Sequence, residues 1–212
     1  MQATYWITLA MCLAPALCFA QKPRRCRSPP VYTGGMTVGT QNEKLWAFGM
    51  YAYDGINQRI HFGEMGTYDN KSFTYNALML YNEEVLYEIN HKDKTCVKKA
   101  LKSDFHPMEV PKGADFVSQV VLGTSSGPGQ GLLVNNWWGD MPDKSGNYMF
   151  SVTEFGCLPV SALVKTKNFG WMTVSYYNNI LGADPNVFIP PPFCKDAKLE
   201  VGEKVDFFSI FQ

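Results

Sequence analysis

Short runs of alternating apolar and polar residues follow one another along most of the chain, a pattern that predicts β-strands rather than helices. In residues 45–54 both alternating sets are apolar or aromatic, so both faces of this strand are expected to be covered. Further strands are predicted at residues 59–65, 73–81, 85–90, 117–123, 132–138, 148–155, 160–165 and 171–177. Turn residues recur roughly every eight to twelve positions, which favours a sandwich or an open barrel.

Helical signals are few, because prolines interrupt the longer candidates. A short helix is predicted at residues 184–187, where Asp184 can act as the cap and Pro185 can take the first helical position. A second short helix is predicted near the C-terminus. The predicted fold class is therefore all-β with a minor helical contribution.

Residues 1–20 carry no charged side chain and predict a cleaved secretory signal peptide. Their apolar run is long enough for a signal-peptide core and too short to span a bilayer. Residues 21–35 form a basic arm with four cationic side chains, which either attracts anionic lipids or is simply solvated. Residues 36–212 are predicted to form a single domain, secreted or lumenal.

Removal of the leader takes away Cys12 and Cys18. Four cysteines in an oxidising compartment predict two disulfides with three alternative connectivities. These four are Cys26, Cys96, Cys157 and Cys194, and their spacing is too wide for a zinc knuckle. Asn70 begins an Asn-Lys-Ser sequon and is a candidate glycosylation site.

The 19 basic and 19 acidic residues balance, which argues against a nucleic-acid partner. The 14 Phe, 11 Tyr and 5 Trp residues point either to a ring-rich core or to a half-open shell with an apolar lumen for lipid tails. Trp137 and Trp138 are adjacent in a predicted strand, so one indole should face the interior and the other solvent or a partner.

Candidate catalytic and metal motifs are weak. Ser125 lies in a G-x-S-x-G pattern, but a strand rather than a helix is predicted after it, so a hairpin loop is expected and an enzyme is not. Calcium is a conceivable cofactor of carboxylate pairs near turns, whereas scattered surface carboxylates are the commoner explanation. The pairs are Asp140 and Asp143, Glu64 and Asp69, and Glu109 and Asp115.

Several longer motifs resemble the ependymin family, and most closely its vertebrate ependymin-related branch, the mammalian ependymin-related protein type. They are YDGINQRI at residues 53–60, YEIN at 87–90, FHP at 105–107, GQGLLVNNW at 129–137 and FGCLPV at 155–160. The match keeps its order over nearly the whole chain after the leader. Mammalian relatives carry an additional cysteine pair that this chain lacks.

The resemblance implies two stacked antiparallel sheets that form a half-open barrel with a deep hydrophobic pocket, similar to lipoprotein carriers of the LolA type. It implies a secreted or lysosomal glycoprotein, a homodimer, and disulfides that join Cys26 to Cys157 and Cys96 to Cys194. It further implies non-enzymatic binding of hydrophobic ligands or anionic lipids, such as fatty acids, phospholipids and gangliosides. The alternative it leaves open is a calcium-associated protein of cell-matrix adhesion.

Residues from both strand faces are candidates for lining this pocket. They are Phe48, Tyr51, Ile60, Phe62, Leu80, Tyr87, Val134, Trp137, Phe150, Val152, Trp171 and Val174. At pH 5 the three histidines and a few carboxylates would gain protons, and the net charge would rise from zero to roughly +5 with ordinary pKa values. Binding to an anionic membrane surface is therefore expected to strengthen at acidic pH.

Overall fold

A computed structural model describes residues 22–101, 103–141, 146–166 and 169–205 of the chain. The predicted signal peptide, with Cys12 and Cys18, lies outside these residues. In the described part, no helix has the length and apolar character needed to cross a membrane.

Twelve strands make up the described fold, and the all-β prediction is confirmed. Their bounds are β1 Val31–Thr40, β2 Leu45–Asp54, β3 Arg59–Tyr68, β4 Lys71–Leu80, β5 Val85–Asn90, β6 Thr95–Leu101, β7 Asp115–Gly123, β8 Gly131–Asp140, β9 Asn147–Thr153, β10 Pro159–Thr166, β11 Gly170–Leu181 and β12 Leu199–Val205. Short 3₁₀ turns occur at Tyr81–Glu83, Pro185–Phe188 and Pro192–Cys194.

The predicted short helix is one of these 3₁₀ turns. The Asp184 side chain accepts a hydrogen bond from the Asn186 amide, and Pro185 takes the first position, as expected. Near the C-terminus, residues 199–205 form a strand, and residues 206–212 lie outside the described part.

All twelve strands belong to one hydrogen-bonded sheet in the order β12-β6-β5-β4-β3-β2-β1-β11-β10-β9-β8-β7. Neighbouring strands are antiparallel except β12 and β6, which are parallel. The two layers that the resemblance implied are therefore continuous with each other through the β1–β11 ladder.

The connection between β6 and β7 requires this sheet to curl. These strands lie ten positions apart in the sheet, a distance of about 48 Å if the sheet were flat. Fourteen Cα–Cα steps join Leu101 to Asp115 and reach at most about 50 Å at full extension, and a turn from Pro111 to Ala114 brings that reach below the flat-sheet distance. The two sides of the sheet must therefore approach each other, which gives a half-open barrel.

Glycines allow close strand contact where β2 meets β3. A Cβ atom at Gly49 would overlap the Gly63 carbonyl oxygen, and one at Gly66 would overlap the Trp46 carbonyl oxygen. Neither position has room for a larger residue unless the backbone shifts, so both glycines fit the tight packing of these two strands.

Both disulfides implied by the resemblance are present. Cys26 is joined to Cys157 and anchors the N-terminal segment beside the β9–β10 loop. Cys96 is joined to Cys194 and ties the C-terminal 3₁₀ turn to β6. Disulfides of this kind persist in oxidising compartments, in agreement with the predicted extracellular or lumenal location.

The described part of the basic arm is packed rather than free. The Ser28 hydroxyl donates to the Cys157 carbonyl at 2.7 Å, and the Arg25 guanidinium donates to the Ala114 carbonyl at 2.7 Å. β1 begins at Val31, so the predicted boundary after residue 35 falls inside a strand and is too late.

Candidate ligand-binding site

Strand register divides the sheet into two faces. The inner face carries the alternating set that includes Tyr51 in β2, Phe62 in β3 and Val174 in β11. The outer face carries the intervening set, including Phe48 and Trp171. Successive side chains point to opposite sides of a strand, so these assignments follow from the cross-strand pairs.

Aromatic rings cover the centre of the inner face. Tyr51 meets Tyr32 at 5.8 Å between ring centroids and Tyr176 at 5.6 Å, both edge to face. On the neighbouring strands Phe62 and Tyr75 lie 5.8 Å apart. These spacings are typical of packed aromatic pairs, and the rings form a largely buried aromatic cluster on the inner face across β1 to β4 and β11.

The β6–β7 connection crosses one end of this cluster. The Phe105 ring stacks on Tyr53 at 5.9 Å and meets Tyr81 at 5.2 Å. The Met108 amide donates to the Tyr53 hydroxyl at 3.2 Å. Farther along, Val110 and Ala114 join the cluster around Trp137, so the connection covers part of the inner face at both sides of the curl.

Seven of the predicted lining residues lie on the inner face: Tyr51, Ile60, Phe62, Trp137, Phe150, Val152 and Val174. The other five lie on the outer face, where they cannot line an inner pocket: Phe48, Leu80, Tyr87, Val134 and Trp171.

Strand geometry explains this correction. Phe48 and Tyr51 are three positions apart in one strand, and so are Trp171 and Val174, so the members of each pair must point to opposite faces. Leu80 and Tyr87 instead pack in a separate outer-face cluster, which the C-terminal 3₁₀ turns cover through Phe188.

Polar groups on the inner face are mostly paired. The Tyr51 hydroxyl donates to the Asn179 side-chain oxygen. The Tyr75 hydroxyl and the Lys99 ammonium both donate to Glu88, at 3.0 and 2.8 Å. Burial raises the pKa values of Tyr51, Tyr75 and Tyr176 above that of a free tyrosine, so these phenols remain neutral at physiological pH.

Glu64 is the exception among the acidic side chains of this face. Its side chain is 3% exposed, and neither carboxylate oxygen has a hydrogen-bond partner among the described residues. Burial raises its pKa from 4.5 to about 7. The sequence suggests only a carboxylate pair of Glu64 with Asp69, although the alternation Ile60, Phe62, Glu64 places Glu64 in the apolar set of β3.

The outer face has an exposed apolar strip, defined here as Trp46, Phe48 and Met50 of β2 with Met65 of β3. Their exposed fractions are 52%, 40%, 61% and 50%. Farther along this face Trp138 is 39% exposed, while Trp137 is buried on the inner face. The prediction that the two indoles point opposite ways is confirmed.

The G-x-S-x-G pattern lies in a hairpin loop, as expected. Strands β7 and β8 pair up to Gly123 and Gly131, and Ser125 is exposed in the loop between them. Asn70, the predicted glycosylation site, is exposed in the β3–β4 turn with a φ of 63°. Asn70 is therefore accessible for glycosylation, which stays a prediction.

Two members of the predicted carboxylate pairs have basic partners. Glu109 forms an ion pair with Arg27 at 2.6 Å, and Asp69 lies 3.8 Å from Lys44. Asp143 lies outside the described residues. Among the residues described, no group of three or more His, Cys, Asp or Glu side chains is arranged to hold a metal ion.

These features define a class of protein: a disulfide-linked half-open β-barrel with an aromatic inner face. The family is equally clear, because the Ependymin family model matches residues 69–194. The chain is 34% identical to Ependymin-1 of Oncorhynchus mykiss, over 97% of this chain and 95% of that protein. It is 35% identical to Ependymin of Esox lucius, over 97% and 94%. The chain belongs to the ependymin family, and its place in the ependymin-related branch stays a prediction.

Solved structures align with this chain at low sequence identity. An uncharacterized conserved protein from Thermus thermophilus aligns with 81% of this chain and 90% of its own, at 8% identity and a TM-score of 0.49. A LolA superfamily protein from Nitrosomonas europaea aligns with 77% of this chain and 92% of its own, at 11% identity and a TM-score of 0.36.

Proposed function

We propose that this protein is an extracellular or lumenal carrier that binds hydrophobic molecules and lipid tails on its inner face without catalysing a reaction. Fatty acids, phospholipids and gangliosides are the candidate ligands, and the lysosome is a candidate location. The observation that carries the proposal is the aromatic cluster on the inside of the curled sheet, from Tyr32 through Tyr51 to Tyr176.

The energetics of an apolar tail are adequate for this role. Each buried methylene contributes about 0.8 kcal/mol, so fifteen would supply roughly 12 kcal/mol, of which about 8 kcal/mol remains after an association cost of about 4 kcal/mol. Affinities in the micromolar range are therefore expected for single-chain lipids, and tighter ones for ligands with two chains.

The direct test is native mass spectrometry of the secreted protein, followed by organic extraction and identification of any co-purifying lipid. A stripped sample is then titrated at pH 5, where Glu64 is protonated, with a fluorescent fatty acid, and saturable one-to-one binding is expected. An empty protein that also fails to load would refute the carrier function and would favour the alternative, calcium-associated adhesion to matrix.

A matched pair of variants on β10 locates the binding face. Ala162 is an inner-face residue packed against the aromatic cluster, and the neighbouring Ser161 points outward. Ala162→Phe fills inner space and should weaken fatty-acid binding at least fivefold, whereas Ser161→Phe should leave it unchanged. Equal effects of the two variants would refute binding on the inner face.

Binding to anionic membranes at acidic pH belongs to the same proposal. Burial lowers the pKa of His61, so this histidine supplies less charge at pH 5 than its ordinary pKa would give. Glu64 loses its negative charge below about pH 7. Like the other carboxylates that gain protons, it thereby makes the net charge of the protein more positive. Attachment to anionic vesicles should be stronger at pH 5 than at pH 7 and should weaken with salt.

We further propose that a second copy of the chain covers the exposed apolar strip on the outer face. The Trp46 and Phe48 rings lie 5.5 Å apart between centroids and leave large apolar areas open to solvent, which is typical of a subunit interface. Phe48→Ser should shift the sedimentation coefficient from dimer to monomer, with Thr67→Ser at the end of the strip as the control. A wild-type protein that sediments as a monomer would refute this proposal.

A further inference from the structure

The Glu64 carboxylate is buried on the ring-lined inner face without a protein donor. Its neighbour on β2 is Gly49, which contributes no side chain, and its neighbour on β4 is Tyr75. The Tyr75 hydroxyl donates to Glu88 rather than to Glu64. A buried carboxylate is normally paired with a cation or with several hydrogen-bond donors. Among the described residues, Glu64 has neither.

The inner-face lysine of β6 is already paired. Lys99 on β6 donates to Glu88 at 2.8 Å, so the two form an ion pair of their own. The remaining titratable side chains on the inner face of the strands around Glu64 are one lysine and six phenols. The lysine is Lys71, which is exposed at the start of β4, two inner-face register pairs away from Glu64. The phenols are Tyr32, Tyr51, Tyr53, Tyr68, Tyr75 and Tyr176. Glu64 is therefore a buried acidic group with no basic partner at its own level of the sheet.

We propose that Glu64 is the polar anchor for a single-chain amphiphile with a cationic amine head group. This inference rests on the proposed carrier function and specifies the chemical class of the ligand. The alkyl chain would pack along the rings, and the ammonium would donate a charge-assisted hydrogen bond to the carboxylate. Aromatic faces beside the carboxylate add cation–π attraction for the same head group.

Other head groups fit less well. An alcohol can donate one neutral hydrogen bond but brings no compensating charge, and a fatty-acid carboxylate would repel Glu64. Acid should release the amine, because the pKa of Glu64 lies near 7 and protonation removes the negative charge, whereas an alkylammonium stays cationic.

Three chain-matched probes test the head-group preference: tetradecylamine, tetradecanol and tetradecanoate, each below its micellar concentration. Each displaces a neutral fluorescent apolar dye from the stripped full-length mature protein at pH 8 and at pH 5. At pH 8 the amine should bind at least about tenfold tighter than the alcohol, and the carboxylate most weakly. At pH 5 the advantage of the amine over the alcohol should largely disappear.

Two variants assign the preference to one carboxylate. Glu64→Gln should abolish the preference for the amine while the alcohol still displaces the dye. Glu88→Gln, which removes the carboxylate already paired with Lys99, should keep the preference. Thermal unfolding of each variant at both pH values confirms that it is folded.

The outcomes separate the two proposals. Equal affinity of amine and alcohol for the wild type, or an amine preference that survives Glu64→Gln, overturns the anchor and leaves the carrier function standing. Failure of all three probes and the dye to bind overturns both. A shift of the Glu64 carboxyl carbon resonance on addition of the amine, absent with the alcohol, is the independent readout.

Discussion

Replacing Glu64 with glutamine should change how the stability of the protein depends on pH. Burial raises the pKa of the folded-state carboxyl to about 7 from an ordinary value of 4.5. Between these values the folded protein holds a proton that the unfolded chain has released, so the free energy of unfolding falls as pH rises. The full shift corresponds to about 3 kcal/mol, and about 2.5 kcal/mol of it falls between pH 5 and pH 8.

Urea unfolding of stripped wild type and Glu64→Gln at pH 5 and pH 8 measures this directly. From pH 5 to pH 8 the free energy of unfolding of the glutamine variant should rise by about 2.5 kcal/mol relative to that of the wild type. For a protein of this size, this corresponds to about 5–10 °C in Tm. The exposed control Glu83→Gln should keep the wild-type dependence. A difference between Glu64→Gln and wild type that does not change with pH would show that the carboxyl is charged and solvated in the folded state.

Three further predictions concern the disulfides, the close strand contacts and the membrane surface. Replacing Cys96 and Cys194 with serine opens a 98-residue loop and should lower the free energy of unfolding by about 4 kcal/mol, measured by urea titration. Gly49→Ala should lower Tm by several degrees, because its Cβ would meet the Gly63 carbonyl, whereas Gly39→Ala, with open space around its Cβ, should not. Co-sedimentation with anionic vesicles should increase from pH 7 to pH 5, and neutral vesicles should show no such change.

Strands with strong alternation were predictable from the sequence, and weakly patterned ones were not. The predicted ranges 45–54 and 85–90 agree with β2 and β5 at both ends. β1 was missed although it lies in the middle of the sheet, because Gly34 and Gly35 interrupt its pattern. A Cβ at Gly35 would overlap the Tyr177 ring on β11, so this cross-strand contact requires glycine. The contact is not visible in the spacing of residues along the sequence.

β6 was missed for a different reason. Its sequence, TCVKKAL, has two lysines and reads as a polar segment. Lys99 nonetheless points to the inner face, where it pairs with Glu88 of β5. A buried lysine needs a nearby carboxylate. The sequence does not show that Glu88 lies beside Lys99, because this depends on the register between β5 and β6.

The choice of faces was the main limit on predicting the site. In β2 both alternating sets are aromatic or apolar, with Tyr51 on one side and Trp46 and Phe48 on the other. Hydrophobicity alone does not show which of these two faces is the inner one, whereas the topology does. The β6–β7 connection must cross between opposite sides of the sheet, and it covers the inner set through Phe105. The uncovered outer set is the surface that we propose a second copy of the chain covers, and the enclosed set, which includes Glu64, is the surface that we propose binds the ligand.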